Sequence, residues 1–145
     1  MKTSCERSLE AIKADLKALS GFWVVVHGSW ARGESLPRSD IDIAVITRTG
    51  DVDANLKTMR GLLGRTPPCY DVRVFELFPL HIKAEVMSNH IVVFGDRLEI
   101  SEYLYYYRRL WKDVEKRYRE NQFTSYKELL QGIERRKKLK AKLGE

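Results

Sequence analysis

Cysteine is scarce in this chain: Cys5 and Cys69 are the only two among 145 residues. Two cysteines so far apart form no metal-ligand pattern, and the expectation is a pair of reduced thiols. Long apolar runs are also missing. None approaches the ~20 residues that a membrane-spanning helix needs. The first residues, 1–7, lead into an amphipathic pattern and lack the apolar stretch of a signal peptide, so a cytoplasmic protein is expected. No internal repeat and no low-complexity linker interrupts the chain, and its length suits one domain with one sizeable core.

What remains is ordinary soluble composition, with 43% hydrophobic and 32% charged residues. The net charge of +6 is unevenly placed. Residues 1–96 hold 12 basic and 12 acidic side chains, whereas residues 97–145 hold 14 basic and 8 acidic. The basic excess therefore belongs to the C-terminal part. There Arg135-Arg136-Lys137-Lys138-Leu139-Lys140-Ala141-Lys142 places six cations in eight residues. Such a run is either a solvated helix end or a contact for an anionic partner such as RNA.

Hydrophobic periodicity predicts the elements. Leu9, Ile12, Leu16 and Leu19 stand at helical spacing over residues 6–19, and Ser20-Gly21 stops that helix. The continuous run 22–26 reads as a buried strand. Residues 29–33 begin a short helix that Leu36-Pro37 breaks. Residues 41–47 form a second strand, with Asp40, Asp42, Ala44 and Ile46 on one face. Asp51 or Asp53 caps a helix through Leu56, Met59, Leu62 and Leu63. A third strand covers 70–77, a helix 79–89 and a fourth strand 91–94. From Ile100 onward the pattern is helical: one helix from about Ser101 to Glu120, and a second from near Thr124, with Ser125 as another candidate cap. Within the first, Tyr103, Tyr107, Leu110, Trp111 and Val114 make one stripe, read as a core or partner-helix face. These elements describe a small α+β domain with a mixed sheet backed by helices.

The chemistry concentrates in residues 28–42, from Gly28-Ser29-Trp30-Ala31-Arg32-Gly33 to Ser39-Asp40-Ile41-Asp42. Asp40 and Asp42 are spaced i, i+2, so a strand presents both carboxylates on one side. Two adjacent anions are costly unless a cation sits between them. Magnesium is the usual cation where the ligands are carboxylates and the substrate carries phosphates. The Gly28-Ser29 turn supplies backbone that a phosphate can approach closely and a hydroxyl to bind it. Arg32 either pairs with a triphosphate or with Glu34, and Ser39 either touches nucleotide or caps the aspartate turn. His27 reads as a strand-end histidine, half-buried, ahead of a nucleotide contact; Trp30 reads as packing.

This pattern resembles the nucleotidyltransferase superfamily of DNA polymerase β, and its fuller form resembles the minimal nucleotidyltransferases. The resemblance covers residues 8–100. It implies a palm of the polymerase β-like type, here residues 1–98, followed by a C-terminal helical extension over 99–145 that packs on or continues it. It implies ATP or another nucleoside triphosphate as substrate, two magnesium ions, and transfer of a nucleoside monophosphate to an acceptor hydroxyl on a protein or RNA with release of pyrophosphate. Asp40, Asp42 and a third carboxylate hold metal, with Asp71 preferred to Glu76. Gly28, Ser29, Arg32 and Ser39 meet the nucleotide. Proteins of this type often pair with a small helical HEPN protein, some as antitoxins that add AMP to it. The rival readings are a nucleotide- or RNA-binding module with lost or secondary catalysis, and an interaction protein whose burial of a toxin face matters more than chemistry.

Overall fold

The computed structural model describes residues 6–34 and 39–143; for 122–125 and 140–143 it describes the backbone alone. The Leu36-Pro37 break and Cys5 lie outside the described residues. Ser8 opens the first helix, α1 (Leu9–Asp15), its hydroxyl accepting from the Ala11 amide at 3.2 Å. A 3-10 turn (Lys17–Leu19) leads to strand β1 (Trp23–His27) and the short helix α2 (Gly28–Ala31). Strand β2 (Ile41–Ile46) follows, then α3 (Val52–Leu62), strand β3 (Tyr70–Val74), α4 (Leu80–Ser88) and strand β4 (Ile91–Phe94). Asp51 caps α3 by accepting from the amides of Asp53 and Ala54.

The strands form one sheet in the order β3-β2-β1-β4. β1 runs antiparallel to β2 and to β4, and β2 runs parallel to β3, so the sheet is mixed. The parallel pair needs a crossover, which α3 supplies. Both faces of the sheet are covered, which is why β1 reads as an unbroken apolar run. Val24, Val26, Ile41, Ile43 and Val45 face one cluster with Ile12, Leu16 and Leu62. Val25, Ala44 and Ile46 face the other with Phe75, Val86, Ile100 and Leu104. The period of two thus divides each strand between two half-cores.

Three expectations change. The third strand ends at Val74 and gives way to a 3-10 turn (Phe75–Leu77). The reason is Glu76, whose carboxylate turns back to accept from the amides of Thr47 and Arg48, each at 3.0 Å. Alternation persists in the sequence after the backbone has left the sheet. The expected pair of C-terminal helices is one helix, α5 (Arg97–Leu143), unbroken through 121–125. No proline or glycine there removes a donor or loosens the backbone, so Thr124 and Ser125 sit inside the helix. Cys69 is disulfide-bonded and is not the free thiol expected.

The chain forms two compact units, Met1–Arg109 and Leu110–Glu145. The second is helical throughout its described residues. It carries an edge-on Trp111–Tyr118 pair and an Arg119–Glu115 ion pair, and it exposes Tyr126, Leu129 and Ile133. No helix among the described residues is long and apolar enough to cross a membrane.

Candidate active site

At the end of β1 the backbone turns at Gly28 with φ +69°. A side chain here is excluded twice over: the conformation is left-handed, and a Cβ would collide with the Asp42 carboxylate. Glycine therefore brings the Gly28-Ser29 backbone directly against Asp42. Across the sheet, His27 pairs with Asp42 and Asp42 pairs with Asp71, so the three side chains stand in one row over β1, β2 and β3. Asp71 is far from the Gly-Ser motif in chain order, and the parallel β2–β3 pairing brings it alongside Asp42.

The row borders a cleft of about 470 Å3 lined by Gly28, Ser29, Arg32, Asp42, Asp71 and Arg73 on its polar side. Phe78, Pro79, Ile82 and Glu85 close the other side. Those four were not anticipated. Their signal is weak: Pro79 announces a helix, and Ile82 and Glu85 share a face at i, i+3, but nothing local aims that face at the aspartates. Asp40 is exposed, precedes β2 and does not line the cleft. Ser39 is half-buried and also lies off the lining.

Charge is unbalanced in the row. Burial pushes the Asp42 carboxyl above its ordinary value, and the neighbouring Asp71 and Asp40 carboxylates push it further. Arg73 and Arg32 oppose the shift. Asp71 accepts from Arg73 Nε at 3.2 Å, an exposed pair. Arg32 donates to Glu34 at 3.2 Å, the ion pair that one of its two readings expected, and it also lines the cleft. Burial lowers the His27 imidazole to about 4, and its ring meets Phe78 edge-on at 5.6 Å. His27 is thus a neutral wall of the site. Among the described residues, no group of three or more His, Cys, Asp or Glu stands in metal-holding geometry. Asp42 and Asp71 are nonetheless hard oxygen donors whose mutual repulsion a divalent cation would relieve, and the donor set fits magnesium.

A hydrogen-bonded brace lies behind the row. Trp30 Nε1 donates to the Arg7 carbonyl at 3.1 Å, the Arg7 guanidinium meets Asp15 at 3.5 Å, and Asp15 accepts from the Tyr70 hydroxyl at 2.6 Å. Trp30 follows Ser29, and Tyr70 precedes Asp71. One N-terminal anchor therefore ties both halves of the site to α1. The Ile41 amide donates to the Cys69 carbonyl at 2.9 Å and ties the start of β2 to β3.

A mixed sheet with a glycine-serine turn set against paired strand carboxylates defines a nucleotidyltransferase of the polymerase β-like kind. A family model, the nucleotidyltransferase domain, matches residues 6–93, and the chain belongs to that family. A curated relative from Methanocaldococcus jannaschii, named "Putative protein adenylyltransferase MJ1547", is 47% identical over 107 residues, which span 74% of this chain and 83% of the relative. Two solved structures share the fold. One is a complex of a tri-AMPylated Shewanella oneidensis HEPN toxin with its MNT antitoxin (14% identity, TM-score 0.54, 76% of this chain and 92% of that one). The other is a toxin-antitoxin with AMP-PNP (17% identity, TM-score 0.51, 72% and 93%).

Proposed function

We propose that this nucleotidyltransferase moves AMP from ATP onto a hydroxyl of a partner protein, releasing pyrophosphate. The observation that carries the reading is the row across the sheet: Asp42 and Asp71 in register beside the Gly28-Ser29 turn, bordering one cleft. The relative named for protein adenylylation supports a protein acceptor. The shared fold with an antitoxin found beside an AMPylated HEPN toxin supports a helical partner of that kind.

In this reading Asp42 and Asp71 hold magnesium, with Asp40 completing the ligand set. When bound, the metal neutralises the carboxylates and the charge that develops on the triphosphate. Ser29 binds a phosphate oxygen through its hydroxyl and amide, and Gly28 permits the close approach. Arg32 exchanges Glu34 for the triphosphate, since carboxylate and phosphate are both oxyanions that accept bidentate bonds from guanidinium. Asp71 orients the acceptor hydroxyl and takes its proton. The new bond joins acceptor oxygen to the α-phosphorus; the bond from that phosphorus to the β-bridging oxygen breaks, and its electrons leave with pyrophosphate. The helical unit Leu110–Glu145, with 11 basic and 6 acidic side chains and exposed Leu129 and Ile133, offers the partner surface.

Incubation with α-labelled ATP, magnesium and a candidate helical partner is the test, with total RNA as a parallel acceptor. Label on the partner, absent with Asp42→Asn, is the expected result. Label on RNA alone moves the acceptor to nucleic acid. Absence of label from every acceptor, with RNA bound tightly, refutes the enzyme reading.

A further inference from the structure

A second cavity, of about 330 Å3, lies between α1, the edge strand β4 and the start of α5. It shares no lining residue with the cleft above. Its apolar lining is Leu9, Ile91 and Val92; its polar lining is Lys13, His90, Arg97 and Ser101. No acidic side chain lines it.

The unit around it is nearly neutral, whereas this lining carries cations alone. Residues 1–109 carry 15 basic and 14 acidic side chains, and three of its arginines meet acids: Arg7 meets Asp15, Arg32 meets Glu34 and Arg73 meets Asp71. Lys13 and Arg97 have no such partner among the described residues, yet both line one concavity beside its apolar side chains. Arg97 is exposed and Lys13 half-buried, so an oxyanion seated in the cavity would meet two cations without displacing an acid. The remaining polar groups complement an oxyanion that also carries a hydroxyl. His90 Nδ1 lies 3.0 Å from the carbonyls of Val86 and Met87, which can only accept, so Nδ1 holds the proton and donates. Nε2 is then left as an acceptor, and the Ser101 hydroxyl serves as donor or acceptor.

We propose that this cavity binds the phosphate of a small ligand, either free pyrophosphate or the phosphate of a nucleoside monophosphate. Lys13 and Arg97 bind the phosphate oxygens, Ser101 donates to one, and His90 Nε2 accepts from a phosphate or ribose hydroxyl. Leu9 and Val92 lie beneath the non-ionic part. The proposal stands apart from the transfer reading, since it uses none of the cleft residues.

The test is calorimetric titration of the full chain with inorganic pyrophosphate and, separately, with AMP. A Ser29→Ala/Arg32→Gln background removes binding in the cleft. At least one probe is expected to bind in that background and to weaken about tenfold for each cation removed, in Lys13→Gln and in Arg97→Gln. Lys13→Arg restores the affinity, while circular dichroism shows all variants folded. Tighter AMP than pyrophosphate marks a nucleotide as the source, and the reverse order marks free pyrophosphate. Binding that disappears in the cleft background, or that is indifferent to the Lys13→Gln/Arg97→Gln pair, overturns the proposal. So does the lack of any heat with either probe at millimolar concentration.

Discussion

Asp71 and Glu76 lie five positions apart on one segment, and the sheet treats their carboxylates in opposite ways. Glu76 is saturated: it accepts from the amides of Thr47 and Arg48 at 3.0 Å and from the Tyr103 hydroxyl at 2.7 Å. Around it Tyr107 packs edge-on and Tyr103 at a tilt against Phe75, and burial lowers Lys83 beside them. Every donor it meets belongs to a different piece of chain, so it fastens the turn after β2 and the first turns of α5 to β3. Asp71 has one exposed arginine and faces another carboxylate. A carboxylate surrounded by donors is a structural joint; one with a single exposed partner at the edge of a cleft remains open to a ligand. The comparison favours Asp71 over Glu76 as the third acid of the proposed site.

The sharpest test of that contrast is Asp42→Asn. Transfer should fall by about a thousandfold, measured as label incorporated per minute. Because burial and two carboxylates raise the Asp42 carboxyl, the charged form costs stability at neutral pH; metal-free Asp42→Asn should therefore melt higher than the parent. A lower melting temperature would show that the row is not strained. The opposite behaviour is expected of Glu76→Ala. It strands two amides and a phenol, and stability should drop by about 3 kcal/mol in urea unfolding. Transfer by the folded fraction at low temperature should change little, and a collapse of kcat there would erase the distinction.

Acid titration probes the neutral wall of the site. The native His27 imidazole lies at about 4, below its ordinary 6.5. The unfolded chain thus binds a proton that the folded chain refuses between these values. Stability is full above the higher value and is lost as pH falls toward the lower, by about 3 kcal/mol. The difference between parent and His27→Gln isolates this contribution from that of Asp42. The smallest effect is expected of Tyr70→Phe, which removes the bond to Asp15 and costs about 1 kcal/mol. If the brace positions Asp71, kcat drops with KM for ATP unchanged. A loss confined to stability would make the brace structural only.

Much of the fold could be read from the chain, because its signals are local. Three valines in a row, the capping Ser8 and Asp51, and the Gly28-Ser29 break each act within a turn or two of backbone, and the elements start within a few residues of where periodicity places them. Legibility fails where a distant group intervenes. Residues 75–77 alternate as a strand would, but the amides of Thr47 and Arg48 capture Glu76 and bend the chain away. Thr124-Ser125 looks like a helix start, but a polar pair inside a helix costs too little to break one that is already propagating. Phe78 and Glu85 reach the cleft only through the packing of α4, which no short spacing reveals.

By itself the sequence determined the strand-turn-strand that carries Gly28, Ser29, Asp40 and Asp42, since glycine's left-handed backbone and the two-residue strand period are properties of neighbouring residues. Only the tertiary structure decided that Asp71 stands opposite Asp42, that Asp40 stays at the surface, and that Glu76 is a joint. Those outcomes depend on the register of a parallel strand pair joined through α3, and register is set by which apolar faces are buried together, not by the residues that the register happens to align.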